Sequence, residues 1–192
     1  MQKHIILSAF IALAVLPAQA DDLEQYTAES RAAVMPFSKA LMAANMNAIK
    51  EGGPESAIKV CKDIAPAMAG DISRQNGWKL TRVSLKVRNP LLGTADQWEQ
   101  KTLMQYEERL AKGEKPEALE TAEIVTEPNG KYFRYMKAIV MQQGCVACHG
   151  NADQISAGVK ARLGAEYPHD QAIGYMPGQV RGGVSIKRAV VE

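Results

Sequence analysis

The chain has 192 residues, of which 23 are Lys or Arg and 21 are Asp or Glu, so its formal net charge at pH 7 is only +2. This near balance argues against nucleic acid and anionic lipid as partners, because both select strongly basic surfaces. The length is sufficient for one domain with its own hydrophobic core.

The first twenty residues have the features of a secretory signal peptide. A basic residue, Lys3, precedes an apolar run over residues 5–16, and the segment AQA at 18–20 forms a cleavage site. The run is shorter than the roughly 20 apolar residues that cross a bilayer, and no cysteine follows Ala20 to carry a lipid anchor. We therefore predict a periplasmic protein without a membrane anchor, in which residues 21–192 form a single domain.

The remaining chain begins with two predicted helices. Apolar residues at mainly three- and four-residue spacing predict a long helix over residues 22–51, which ends at Gly52-Gly53. Pro54 then opens a second helix, because the first helical position needs no N–H. This second helix is expected to cover residues 54–70, with Cys61 on its apolar face.

The rest of the chain alternates between strand and helix patterns. Period-two alternation predicts a strand over residues 79–88, helical spacing returns over residues 95–112, and two alternating runs around Pro128-Asn129-Gly130 predict a hairpin. A short helix over residues 153–165 and a last strand from about Val180 follow. This order predicts an α+β fold with an antiparallel sheet.

The stretch GCVACHG, residues 144–150, carries the strongest functional signal. Two residues separate Cys145 from Cys148, and His149 follows directly. This C-x-x-C-H pattern is the attachment sequence of c-type haem. The two thiols add to the porphyrin vinyl groups, and the adjacent imidazole becomes the proximal ligand of the iron. We therefore predict one covalently bound haem c.

Two other chemistries use a pair of cysteines at this spacing. A structural zinc site needs four ligands, and beyond the motif only Cys61 and His169 are available in the mature chain. A thioredoxin-like disulfide favours a strand before the motif and a helix after it, and it does not require His149. In an exported protein, these features favour haem attachment over both alternatives.

The residues alone leave the distal ligand of the iron open. Cys61 has no disulfide partner once Cys145 and Cys148 are thioethers, and coordination as thiolate would protect it from oxidation. It is equally consistent with a small buried core side chain. Met176 is the second candidate, because GYMPG resembles the distal methionine loop of small cytochromes c. His169 is the third, but between proline and aspartate it is more typical of a solvated loop.

Three further segments accompany the C-x-x-C-H motif in a recurring order. They are AIKVCKDIAP (57–66), TRVSLKVRNP followed by ADQWE (81–99), and YPHDQAIGYMPGQVRGGVS (167–185). Together with the motif they resemble the monohaem c-type proteins with a PAS-like fold, found as free periplasmic proteins and as sensor modules of bacterial signalling proteins. The resemblance implies a PAS-like antiparallel sheet flanked by helices and iron held between His149 and Cys61. It leaves Met176 as an alternative distal ligand that the family does not require.

Three arginines are candidates for contacts with the haem propionates, which need cationic or hydrogen-bonding partners. Arg82 and Arg88 share one face of the predicted strand, and Arg181 begins the last predicted strand. The alternative for each of them is a solvated strand surface.

The predicted ligand pair indicates a sensor. A thiolate opposite histidine stabilises ferric iron and lowers the reduction potential, which suits a redox or diatomic-gas sensor better than a general electron carrier. Such a sensor would need a signalling protein partner, and release of Cys61 on reduction would free a site for CO or NO. A soluble electron-transfer cytochrome is the alternative. The sequence shows no catalytic triad, metal dyad, phosphate loop or peroxidase acid–base pair, so we do not expect an enzyme.

Overall fold

The computed structural model describes residues 17–190, and for residues 17–21 only the backbone. The predicted signal peptide, residues 1–20, lies outside the described residues except for the backbone of its last four. Within residues 17–190, no helix combines the length and the apolar character needed to cross a membrane. The main elements in chain order are α1 (Pro17–Lys59), a π-helical turn (Val60–Ile64), α2 (Ala65–Asn76), β1 (Lys79–Val83), α3 (Pro90–Gly93), α4 (Gln97–Ala111), β2 (Glu120–Glu127), β3 (Gly130–Val140), α5 (Val146–His149), α6 (Ala157–Glu166) and β4 (Val180–Ala189).

The N-terminal helical region is interrupted where the sequence predicted. Gly52 and Gly53 leave the helical conformation, and the φ of Gly53, 75°, lies in the region that favours glycine. The predicted end of the second helix at Gly70 is wrong, because that residue stays helical. The helix continues to Gly77, whose φ of 71° gives the left-handed cap that stops it.

One antiparallel sheet contains the four described strands in the order β1-β4-β3-β2. The predicted hairpin is present, since β2 and β3 pair from Glu120 opposite Lys137 to Glu127 opposite Gly130. β1 is shorter than predicted, because the N–H of Ser84 bonds to the carbonyl of Gly93 instead of to β4. The structure confirms the α+β fold with an antiparallel sheet and a long N-terminal helix.

Helices cover both faces of the sheet. α1 and α2 pack on one face, around a core of Val34, Phe37, Leu41, Leu80, Phe133, Tyr135, Val184 and Ile186. α4 packs on the other face, around Leu103, Tyr106, Leu119, Met136 and Val180. A third cluster joins α6 to the C-terminal part of α1 through Ile58, Val159, Leu163 and Tyr167, and Cys148 packs against it. The C-x-x-C-H segment is thereby held beside the end of α1.

Candidate functional site

The C-x-x-C-H segment forms a compact helical turn between β3 and α6. A short 3-10 turn (Gln143–Cys145) runs directly into α5, which ends with His149. Residues three apart on a helical turn lie on the same side, so this conformation places Cys145 and Cys148 next to each other. All three cysteines of the chain are free thiols in the structure.

The imidazole of His149 is held by the backbone of the segment before β4. Its Nδ1 lies 2.7 Å from the carbonyl oxygen of Ala172. Because a carbonyl oxygen only accepts hydrogen bonds, Nδ1 must carry the proton. This tautomer leaves a free lone pair on Nε2, as in histidines that bind metals. Arg181 Nε is 3.2 Å from the same Nδ1, but a protonated nitrogen has no lone pair to accept that donor.

The surroundings of His149 keep the imidazole neutral. Burial lowers the pKa of His149 well below its ordinary value of 6.5, and the cationic side chains of Arg181, Arg88 and Arg82 lower it further. The hydrogen bond to Ala172 acts in the opposite direction. The neutral form is the one that coordinates metals.

Cys61 lies in the π-helical turn between α1 and α2. Pro66 accounts for this turn, because proline cannot donate to the carbonyl four residues back and would clash with it. The N–H of Ala65 bonds instead to the carbonyl of Val60, five residues back. The Cys61 side chain is half-buried, and its Sγ lies 3.6 Å from Asn45 Oδ1. Single π turns of this kind occur frequently at functional sites.

Cys61 and the motif cysteines belong to the same region of the molecule. The pKa of the Cys148 thiol is raised, chiefly by burial, and the neighbouring Cys61 and Cys145 thiols add to this effect. Arg82 links the same region to β1, since its guanidinium reaches the carbonyl of Cys61 at 3.5 Å. The fold thus brings Cys61 and Arg82 to the segment that holds His149.

One family model matches residues 12–188 of the chain, and its description is "Tll0287-like". The chain belongs to the Tll0287-like family. Among solved structures, the cyanobacterial heme-protein Tll0287 is similar in fold, with a TM-score of 0.61 and 24% sequence identity over 85% of this chain and 97% of the other. At that identity, the structural similarity shows the fold alone. No curated protein matches the chain.

In this Tll0287-like protein, the three candidate arginines have different surroundings. The Arg181 guanidinium lies 5.4 Å from the centre of the Tyr175 ring, and burial together with the nearby Arg88 and Arg82 cations lowers its pKa. Arg88 is buried and pairs with Asp170, with Nε 3.0 Å from Oδ2. Arg88 is therefore paired with a carboxylate, whereas the half-buried Arg82 and Arg181 reach backbone carbonyls, those of Cys61 and Lys86 respectively.

The alternative ligands lie at the surface. The Met176 side chain is 57% exposed, and His169 is exposed as well. A zinc site would need these or other donors to converge, and the residues that the structure describes contain no group of three His, Cys, Asp or Glu side chains placed to hold a metal ion.

Two residues that hold His149 were not found from the sequence. Ala172 contributes only a backbone carbonyl, for which a side-chain pattern gives no signal. Asp170 accepts a hydrogen bond at 2.7 Å from the N–H of Ala172, two residues on. Aspartate often bonds its own backbone in this way at turns, so the YPHD segment contained the signal for a turn but not for its role beside His149.

Proposed function

We propose that this chain is a c-type haem protein in which Cys145 and Cys148 attach the porphyrin and His149 is the proximal iron ligand. The observation that carries this proposal is the hydrogen bond from His149 Nδ1 to the Ala172 carbonyl, which leaves the Nε2 lone pair available in a segment where Cys145 and Cys148 share one helical turn. The similar fold of a solved cyanobacterial heme-protein supports the same cofactor class. When bound, a haem supplies an iron centre that changes oxidation state and accepts axial ligands.

The cationic side chains beside His149 suit the carboxylates of a haem. Arg82 and Arg181 both lower the pKa of His149, which places them within electrostatic range of its ring. Charge-assisted hydrogen bonds to carboxylates are the strongest that arginine makes. We assign propionate binding to Arg82 and Arg181 rather than to Arg88, because Asp170 already pairs with Arg88.

We assign Cys61 as the distal ligand. The residue is half-buried, and its Sγ donates a long hydrogen bond of 3.6 Å to Asn45 Oδ1. A thiol so lightly held is free to coordinate iron and, equally, free to leave it. Met176 is the alternative, but 57% of the residue is exposed, which is more typical of a solvated loop than of a buried iron ligand.

The role that we propose is a periplasmic redox or diatomic-gas sensor rather than an enzyme. If Cys61 and His149 both held the iron, the thiolate would favour the ferric state, so reduction would weaken the hold of Cys61. Its π turn joins α1 to α2, so a change at the thiol bears directly on the helices that cover one face of the sheet. A periplasmic partner protein would detect that change after export directed by residues 1–20.

Soluble electron transfer is the second candidate, and one observation favours it. Ile173 and Met176 are 41% and 57% exposed on either side of Tyr175, whose ring is 6.4 Å from that of His149. Small apolar patches beside a redox centre suit short-lived docking to a redox partner.

Carbon monoxide distinguishes these two functions. For the sensor, CO added to the reduced protein is expected to shift the visible absorption spectrum, because Cys61 vacates its position. For the electron carrier, both axial ligands stay in place and the spectrum is unchanged. An unchanged spectrum at saturating CO would therefore contradict the sensor.

Replacing Cys61 by serine tests the distal assignment. The Cys61→Ser protein is expected to keep its covalent haem but to lose the charge-transfer absorption of an iron–thiolate bond. Met176→Leu is the matched control, because Met176 is exposed and leucine has a similar volume. If Met176→Leu changes the ferric spectrum and Cys61→Ser does not, the ligand is Met176.

A further inference from the structure

The Arg88 side chain is unusually buried for an arginine. Only 8% of the residue is exposed. Its guanidinium donates to three acceptors, which are Asp170 Oδ2 at 3.0 Å, the Cys148 carbonyl at 2.6 Å and the Ala172 carbonyl at 3.3 Å. The planar, five-donor shape of arginine permits this simultaneous bonding.

Asp170 closes this network on the other side. Its Oδ2 accepts from Arg88, and its Oδ1 accepts from the N–H of Ala172 at 2.7 Å. Ala172 is therefore fixed at both ends of its backbone, with its N–H bound to Asp170 and its carbonyl bound to Arg88. The same carbonyl accepts from His149 Nδ1.

Backbone hydrogen bonds attach the surrounding segment to the motif and to the loop after β1. The N–H of Tyr175 donates to the His149 carbonyl at 2.9 Å, and the N–H of Gly174 donates to Gly150 at 2.8 Å. On the other side, the N–H of Gln171 donates to the Val87 carbonyl at 2.8 Å. Arg88 thus lies where three chain segments meet. It bonds to Cys148, the residue before His149, and to the Ala172 carbonyl, which accepts the hydrogen bond from the His149 ring.

We propose that the Arg88–Asp170 pair is a positioning device that holds the Ala172 carbonyl against His149 Nδ1 and thereby fixes the orientation and donor strength of the proximal imidazole. The inference rests on the proposed haem function, since it gives the pair a role toward the iron ligand. Outer partners of a ligating histidine fix its tautomer and raise its basicity. Loosening the Ala172 carbonyl would lower the basicity of the His149 imidazole and, with a haem bound, would raise the reduction potential.

Arg88→Lys is the variant that separates geometry from charge. Lysine keeps the positive charge beside Asp170 and His149, but a single ammonium cannot span the three acceptors. We expect the reduction potential to rise. We also expect the Nδ1 proton of His149, observed in reduced protein labelled with ¹⁵N-histidine, to exchange with solvent faster than in wild-type protein, because its acceptor is no longer held in place.

Arg109→Lys is the matched control. Arg109 also pairs with an acid, Glu114, and also donates to two carbonyls, those of Ala118 and Glu120, but it lies on α4. The Arg109→Lys protein should keep the wild-type reduction potential and the wild-type exchange rate of the His149 Nδ1 proton. Asp170→Asn provides a second variant in case Arg88→Lys does not fold, and it should move both readouts in the same direction as Arg88→Lys.

The outcomes separate this inference from the proposed function. Intact-mass measurement on each protein first establishes haem content, and wild-type protein without haem overturns the proposed function. If wild type carries haem but Arg88→Lys matches it in potential and in proton exchange, the positioning role is overturned. If Arg88→Lys does not fold, wild-type values in Asp170→Asn overturn it equally.

Discussion

Simultaneous replacement of Cys145 and Cys148 by alanine is expected to abolish covalent haem retention. In the proposed attachment, both thioether bonds would form on these two sulfurs, which lie together on the turn that leads into His149. Acid-acetone extraction should remove all pigment from the Cys145→Ala/Cys148→Ala protein, whereas wild-type protein should keep its pigment. The measurement is the haem absorbance that remains with the polypeptide after extraction.

Cys61→Ser serves as the control for that experiment. This variant removes a cysteine thiol as well, but we assign Cys61 to the iron and not to the porphyrin. The pigment of the Cys61→Ser protein should therefore resist extraction. Equal loss of pigment from both proteins would show that the attachment chemistry does not reside in the C-x-x-C-H segment.

Arg134→Ala is expected to lower the free energy of unfolding by about 3–5 kcal/mol, the usual cost of breaking a buried ion pair on one side. Arg134 is 1% exposed and bonds to Asp96 at 2.7 Å and to Glu127 at 2.8 Å. Glu99, 3.5 Å away and only 5% exposed, would lose its cationic neighbour while remaining buried. Urea denaturation of the holoprotein measures the change.

The matched control is Arg31→Ala. Arg31 also forms an ion pair, with Glu120 at 2.6 Å, but its side chain is 59% exposed. Exposed ion pairs contribute about 0–1 kcal/mol, so this variant should stay close to wild type. If the two variants lost the same free energy, burial of Arg134 would not explain its effect.

The predictable part of the fold is the part with a periodic apolar pattern. The hairpin around Pro128-Asn129-Gly130, the helix over residues 97–111 and the glycine break at Gly52-Gly53 each combine such a pattern with a strong turn or cap signal. The sequence cannot show where the second helix ends, because Gly70 and Gly77 are both glycines and either of them could terminate it. Only the left-handed conformation of Gly77 shows which of them terminates the helix.

The candidate site also has a part that the sequence predicts and a part that only the structure shows. The C-x-x-C-H spacing predicts Cys145, Cys148 and His149 as the haem-binding residues, because the pattern lies within five consecutive residues. The support of His149 was not predictable, since it consists of a backbone carbonyl and of an ion pair between residues distant in sequence, Arg88 and Asp170. The strand pattern placed Arg88 on an exposed face, but β1 ends at Val83 and the chain then turns Arg88 inward.

The intact mass of wild-type protein, expressed together with a haem-attachment system, tests the central claim most directly. We predict the mass of the chain without residues 1–20 plus that of one haem. A homogeneous product with the mass of the bare processed chain would contradict it.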